Sequence, residues 1–256
     1  WILKQGNWQA GCRVKDVWLN RRKYSGKLKN SSQPEFKPLS GKRILINAGP
    51  TREPIDPVRF ISNHSSGKMG IALADAAKSL GAEVTLVLGP VEIRPENKDI
   101  NIVPVTTASE MAAECIRIFP LCDIAILAAA VADFTPETGS KAKIKKTEGP
   151  LILKLVPTTD IASELGRMKK PGQLVVGFAL ETGNELENAL GKLRKKNLDL
   201  IVLNSLRDPG AGFGHDTNRI TLVDRNNNID KFELKTKKEA AYDILGKIVT
   251  LTASGK

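Results

Sequence analysis

Arg43-Ile44-Leu45-Ile46-Asn47-Ala48 is closed by Gly49-Pro50, and Glu83-Val84-Thr85-Leu86-Val87-Leu88 is closed in the same way by Gly89-Pro90. Both runs are apolar almost throughout, as a strand buried on both faces requires, instead of alternating between core and water. Between them, residues 68–80 carry apolar side chains at helical spacing. Gly81 follows, a residue that accepts the left-handed conformation ending many helices. Strand, helix and strand in that order predict a βαβ unit and a parallel sheet covered on both faces.

Working outward, the pattern repeats. Residues 101–105 and 123–128 read as strands with a helix at 109–118 between them. After a basic interruption come a helix at 159–168, a strand at 173–178, a helix at 185–196 and a strand at 200–203. Residues 219–224 and 230–234 alternate in polarity around Arg225-Asn226-Asn227-Asn228 and read as a hairpin. An amphipathic helix at 237–249 closes the chain. The fold expected is α/β: a Rossmann-like, doubly wound, mostly parallel sheet with a β-hairpin extension.

Toward the N-terminus, residues 25–42 are rich in Ser, Pro, Lys and Asn and read as a linker. The chain begins with Trp1 instead of Met, as a fragment or a trimmed chain would. The division expected is a basic linker or remnant over 1–40 and one domain over 41–256. The formal charge of +11 invites a nucleic-acid reading, but its distribution argues otherwise. Residues 1–43 carry a balance of +9 and residues 44–256 only +2, so the basic character belongs to the arm. That arm also holds Trp1, Trp8 and Trp18, so it could touch nucleic acid, but a linker or remnant is the simpler reading. A nucleic-acid-binding domain would spread its charge over the domain face. No apolar run approaches the roughly 18 residues of a membrane helix, and the first residues lack a secretory pattern. Cys12, Cys115 and Cys122, with only His64 and His215, make no zinc-like spacing and suit a reducing, cytoplasmic compartment.

In doubly wound sheets the ligand sits beyond the carboxyl ends of the strands, here after residues 48, 88, 128, 178 and 203. The first of these loops runs from Gly49 through Arg59, Asn63-His64-Ser65-Ser66 and Gly67-Lys68-Met69-Gly70. It lacks the Gly-Lys-Ser/Thr of a P-loop and the G-x-G-x-x-G of a dinucleotide fold, which removes the main support for an NAD(P) oxidoreductase. Its end can offer helix N–H groups to a phosphate, or it can be a capped helix with a glycine packing contact. Both readings stay open on spacing alone. The loop after the fourth strand, Ala128-Ala129-Ala130-Val131-Ala132-Asp133-Phe134, has small residues that admit a ligand close to the backbone, or it is a tightly packed strand end with a helix-capping Asp. A Lys run, Lys141-Ala142-Lys143-Ile144-Lys145-Lys146, follows it and can act as a flap over phosphates. Lys192, Arg194, Lys195 and Lys196 form a second cluster. No nucleophile–base arrangement, carboxylate pair or metal cluster is present in the pattern. The features agree on a polyanionic ligand.

Taken together, the blocks at 49–70, 129–134 and 143–146 resemble the bacterial phosphopantothenoylcysteine synthetase family. Thr159-Asp160-Ile161-Ala162, 176–182 and 195–199 resemble it too, in family order over about residues 41–250. In many bacteria that enzyme is the C-terminal half of a bifunctional protein, behind a flavin-dependent decarboxylase. Residues 1–40 carry no flavin or cysteine motif of the decarboxylase, so neither that activity nor a flavin is expected. The resemblance implies a ligase that joins 4′-phosphopantothenate to L-cysteine through an acyl-cytidylate. It would use CTP with Mg²⁺ and release CMP and pyrophosphate on the way to coenzyme A. Eukaryotic relatives commonly use ATP. By the same resemblance, Asn63, Arg59 and Ala130 act in the second step and Lys143 in forming the intermediate. Leu127, Ala128, Ala129, Asp133, Lys143, Thr159, Asp160, Ile161, Ala162, Phe178, Lys192 and Lys196 contact the nucleotide. The family commonly shows Pro at the position of Thr159. No protein ligand for the metal is assigned. The family is a homodimer, and residues 218–235 would contribute to its interface.

Overall fold

The computed structural model describes residues 37–146, 148–181, 184–205 and 215–254. Of the arm expected over 1–40, residues 1–36 lie outside the described residues. The main sheet is built from β1 (Arg43–Ala48), β2 (Glu83–Leu88), β3 (Asn101–Pro104), β4 (Ile124–Leu127), β5 (Leu174–Glu181), β6 (Leu200–Ser205), β7 (Ile220–Asp224) and β8 (Ile229–Lys231). Around it pack α1 (Lys68–Ser79), α2 (Ala108–Ile118), α3 (Ile161–Met168), α4 (Glu185–Lys195) and α5 (Lys237–Ser254). The strands lie in the order β3-β2-β1-β4-β5-β6-β7-β8. The first six are parallel, whereas β7 runs antiparallel to β6 and β8 antiparallel to β7. The order therefore reverses between β1 and β4, where such sheets open a crevice for a ligand.

The apolar runs of β1 are divided between two cores by the strand's period of two. Ile44 and Ile46 face α1 and α5, packing with Leu73, Ala77, Ile244 and Leu245. Leu45 faces the other side with Met111 of α2, Leu165 of α3 and Leu193 of α4. Each of the buried Ile, Leu and Met side chains among these contributes about 1.5–3 kcal/mol. Helix α2 starts at a capping box: the Thr107 side chain accepts from Glu110 N, and the Glu110 carboxylate accepts from Thr107 N. Such caps contribute about 1 kcal/mol.

Four features depart from the expectation. Leu39, within the stretch read as linker, is 1% exposed and donates its N–H to Leu80 O at 3.1 Å, so packed structure begins earlier. The hairpin is not an extension beside the sheet. Its first strand, β7, continues the sheet with Ile201 opposite Val223, and β8 forms the edge. The loop at 49–67 contains a small antiparallel ribbon, Arg52–Pro54 against Phe60–Ser62, and Phe134–Pro136 pairs likewise with Leu155–Pro157. Strands of three residues carrying Pro54, Pro136 and Pro157 leave no periodic signal. Helix α5 runs past 249 because Val249 and Leu251 still pack on the core.

Cys115 and Cys122 are free and buried. Burial pushes the Cys115 thiol up to about 12, against a small opposing effect of Asn47, and the Cys122 thiol up to about 11. The thiolate is the reactive form, so neither should be alkylated by iodoacetamide at pH 8 in the native protein, while both should react in urea. Peptide mass spectrometry reads this directly, and modification of native Cys115 would contradict the packing. No helix among the described residues is long and apolar enough to cross a membrane.

Candidate active site

Asn47, the polar residue of β1, is 2% exposed and organises the switch point. Its side-chain Oδ1 accepts from Ala129 N at 3.0 Å, and its carbonyl accepts from Ala128 N at 3.2 Å. Ala130 N donates to Gly49 O at 2.9 Å and Ala132 N to Thr51 Oγ1 at 3.0 Å. The loop after β4 is thus tied to the loop after β1 through its amides. Its alanine methyl groups are small enough to let a ligand approach the backbone. The Asn63 amide closes the circuit, donating from Nδ2 to Ala130 O at 3.0 Å and Val131 O at 3.2 Å. The predicted pair Asn63 and Ala130 is therefore in direct contact.

Two glycines set the entry to α1. Gly67, the residue before the helix, has φ +75°, a left-handed conformation that costs a side-chain-bearing residue about 1–2 kcal/mol. Gly70 lies so close to β1 that a Cβ there would sit 2.4 Å from Ala48 Cβ. The N-terminal turn of α1 is thereby brought against the end of β1, facing a cavity of about 160 Å³. Ser65, Gly67, Ala129 and Phe178 line it, and so do three residues not predicted: Asn204, Asn218 and Lys237. A larger open groove of about 600 Å³ runs along α1 and the start of α5 and shares Lys68 and Lys237 with it. It does not lie at the strand-order reversal, so the smaller cavity is the candidate site.

The cavity favours anions. Lys68 Nζ pairs with Asp216 Oδ1 at 2.6 Å, and Lys237 Nζ donates to His215 O at 2.5 Å. Lys237 is only 8% exposed, and burial, then the nearby Lys68, hold its pKa below the ordinary lysine value despite Asp216. Two ammonium groups beside a helix N-terminus have a strong field to offer a phosphate. Asn218 is 2% exposed and donates from Nδ2 to Asn204 Oδ1 at 3.1 Å, while its own Oδ1 has no partner among the described residues.

The remaining predicted residues do not line this cavity. Asp160 is the N-cap of α3, accepting from Ser163 N at 3.1 Å, and it pairs with Lys196 Nζ at 2.9 Å. Two separate predicted blocks meet in that pair. Burial works to raise the Asp160 pKa, but Lys196 and Ser163 outweigh it and the net shift is downward. Ile161 is buried behind the cap, and Thr159 and Ala162 flank it at the start of α3. Lys192 lies on α4, one turn before Lys196, and Leu127 is the last residue of β4. Asp133 is exposed, with its carbonyl accepting from Thr158 N at 2.9 Å. Lys143 is exposed between the paired segments Phe134–Pro136 and Leu155–Pro157. Arg59 is bound to Asp56, another residue the sequence did not single out. Among the described residues no three His, Cys, Asp or Glu converge on a point that could hold a metal.

Comparison with known proteins places the chain in a family. The family model described as the DNA/pantothenate metabolism flavoprotein C-terminal domain matches residues 39–251. A protein named cysteine/cysteine sulfinic acid decarboxylase, from an unknown prokaryotic organism, is 67% identical over 84% of this chain and 60% of its own length. The coenzyme A biosynthesis bifunctional protein CoaBC of Bacillus subtilis is 44% identical over 88% of this chain and 55% of its own. The chain thus spans little more than half the length of the curated relatives it matches. A crystal structure of the C-terminal domain of a CoaBC protein superposes with a TM-score of 0.74 at 41% identity, covering 85% of this chain and 99% of that domain. With 213 of its residues inside one family model, the expected mostly parallel, doubly wound sheet and that domain as a structural match, the chain belongs to the DNA/pantothenate metabolism flavoprotein C-terminal domain family.

Proposed function

We propose that this domain is a phosphopantothenate–cysteine ligase that uses CTP. The observation that carries the reading is the docking of Asn63 on Ala130 O and Val131 O, beside a cavity bearing Lys68 and Lys237. The 41% identity to a CoaBC C-terminal domain over nearly its full length supports the same substrates.

In the first step a carboxylate oxygen of 4′-phosphopantothenate attacks the α-phosphorus of CTP. The bond to the β-phosphate breaks and pyrophosphate leaves, giving an acyl-cytidylate. In the second, the cysteine amine attacks the acyl carbon, loses a proton, and CMP departs with the electrons of the acyl–oxygen bond. No protein nucleophile is needed. The task of the chain is to bring polyanions together and hold the intermediate. The α1 N-terminus with Lys68 and Lys237 suits phosphate groups, and the exposed Lys143 can reach over them from the flap. Asn63 has an amide that binds without titrating, as a preorganised site requires. Mg²⁺ would enter on the nucleotide phosphates and offset their charge, since it is commonly held by one or two carboxylates plus substrate phosphates.

A homodimer fits the same reading. Val58, Phe60, Phe134, Ile152 and Leu155 are exposed on and around the two small ribbons, and Ile229 and Leu234 are exposed on the hairpin segment. The test of the function is pyrophosphate release from purified protein given 4′-phosphopantothenate, Mg²⁺ and either CTP or ATP, with and without cysteine. Release that needs phosphopantothenate and prefers CTP is expected. Carbon dioxide from cysteine or cysteine sulfinate, with no pyrophosphate, would support instead the activity named for the 67%-identical relative.

A further inference from the structure

Asp56 sits in the middle of the loop after β1, yet it is 4% exposed. A carboxylate removed from water needs several donors, and this one has them. Its Oδ1 accepts from Val58 N and Arg59 N, each at 2.9 Å. Its Oδ2 accepts from Arg59 Nε at 3.1 Å and Nη2 at 2.5 Å. The same Oδ2 accepts from Ile144 N at 3.1 Å, a residue 88 positions away on the Lys flap. Arg59 Nη2 completes the clasp by donating to Ile144 O at 3.2 Å.

Both backbone polar groups of Ile144 are therefore held by one ion pair, and Ile144 lies between Lys143 and Lys145. Ser140 N donates to Ile55 O at 3.0 Å at the flap's base, so the flap is sewn to this loop twice. A flap of exposed lysines would otherwise spread by mutual repulsion. We propose that Asp56 is a positioning residue that latches the Lys143 flap over the site and holds Arg59 in the orientation its own role requires. It thereby serves both chemical steps without touching the substrates. The inference deepens the ligase reading and rests on it for the roles of Lys143 and Arg59. The Arg59 guanidinium beside Asp56 holds its carboxyl well below the usual carboxylate range, so the latch stays charged at any pH used for assay.

Two variants separate its two functions. Asp56→Asn keeps the shape but loses the charge, and its amide nitrogen opposes donors, so flap and Arg59 are both released. Ile144→Pro removes only the flap N–H and leaves the Asp56–Arg59 pair intact. Tryptic cleavage after Lys141, Lys145 and Lys146, followed by mass spectrometry, should be at least about tenfold faster in both variants; cleavage after Lys143 is left out because Ile144→Pro itself blocks that bond. The first step, read as single-turnover pyrophosphate release without cysteine, should slow at least about tenfold in both, with CTP affinity changed less than about threefold. The second step, read on preformed acyl-cytidylate, should slow in Asp56→Asn alone. Urea unfolding of each variant establishes that it is folded. Wild-type tryptic rates in a folded Asp56→Asn protein would overturn the latch, and so would equal loss of the second step in Ile144→Pro. If the wild type releases no pyrophosphate, the ligase reading fails while the tryptic comparison still decides whether Asp56 holds the flap.

Discussion

Asn63→Ala is expected to slow amide formation about 10²–10³-fold while leaving pyrophosphate release nearly intact, so that the acyl-cytidylate accumulates on the protein. The magnitude is that of removing one preorganised hydrogen-bonding side chain from a reacting centre. The selectivity follows from the roles proposed: Asn63, joined through its Nδ2 to Ala130 O and Val131 O, serves the second step, and the exposed Lys143 of the flap the first. Chromatography of quenched single turnovers, with and without cysteine, would show the intermediate directly. Asn63→Asp is a sharper control because it is isosteric. Its carboxylate oxygen would face those same two carbonyl oxygens, so it should also lose the docked geometry. Equal loss of both steps in Asn63→Ala would reassign the residue to general substrate binding.

Asp199→Ala should be the most damaging substitution for stability, costing about 3–5 kcal/mol, as expected when one partner of a buried ion pair is removed. Asp199 accepts from Lys169 Nζ at 2.8 Å and from Val175 N at 2.8 Å, and it pairs with Arg225 at 2.7 Å. The Lys169 and Asp199 side chains are 8% and 6% exposed. Without the carboxylate, Lys169 keeps its bond to Asn197 O at 2.8 Å but loses its counter-ion, and the Val175 amide on β5 loses its acceptor. The pH dependence has a definite sign. Burial holds the Lys169 pKa below its ordinary 10.5 against the pull of Asp199. The unfolded chain therefore binds more protons as pH approaches that value, and stability attributable to this group rises with pH. In the variant that pKa falls further, so its stability deficit should shrink between pH 7 and 9. Urea titrations at both pH values check this, and a deficit constant with pH would mean Lys169 is not the group left stranded.

Much of the fold was legible because the strands of a doubly wound sheet are apolar on both faces and end at strong punctuation. Ile44, Leu45 and Ile46 announce a buried strand wherever they occur, and Gly49-Pro50 and Gly89-Pro90 mark its exits. The small ribbons were not legible, since three residues ending in proline carry no period. Leu39 was hidden among Ser, Pro and Lys because one apolar residue makes no pattern. The site divides in the same way. Asn63, Ala130 and Phe178 lie where the strand ends predict, and Asn204 directly follows residue 203, where a ligand loop was expected. Asn218 and Lys237 reach the cavity from the hairpin segment and the start of α5, which no local signal connects with β1. Asp56 looked like one more loop acid, and only its bond to Ile144, far along the chain, distinguishes it.

The reversal of strand order between β1 and β4 also governs when the site can exist. β1 can pair with β2 as soon as residues 43–88 are available, but Ile44 meets Ile124 only after the chain has grown by 36 residues more. Lys237 completes the cavity later still. During synthesis, at about 5–20 residues per second, a partial sheet of β1, β2 and β3 can form seconds before its central edge acquires β4. That edge is β1 itself, with Ile44, Leu45 and Ile46 uncovered on one side and its backbone unpaired. The strand that anchors the site is thus the nascent chain's most exposed sticking point, and the interval before β4 arrives is when a chaperone has most to protect.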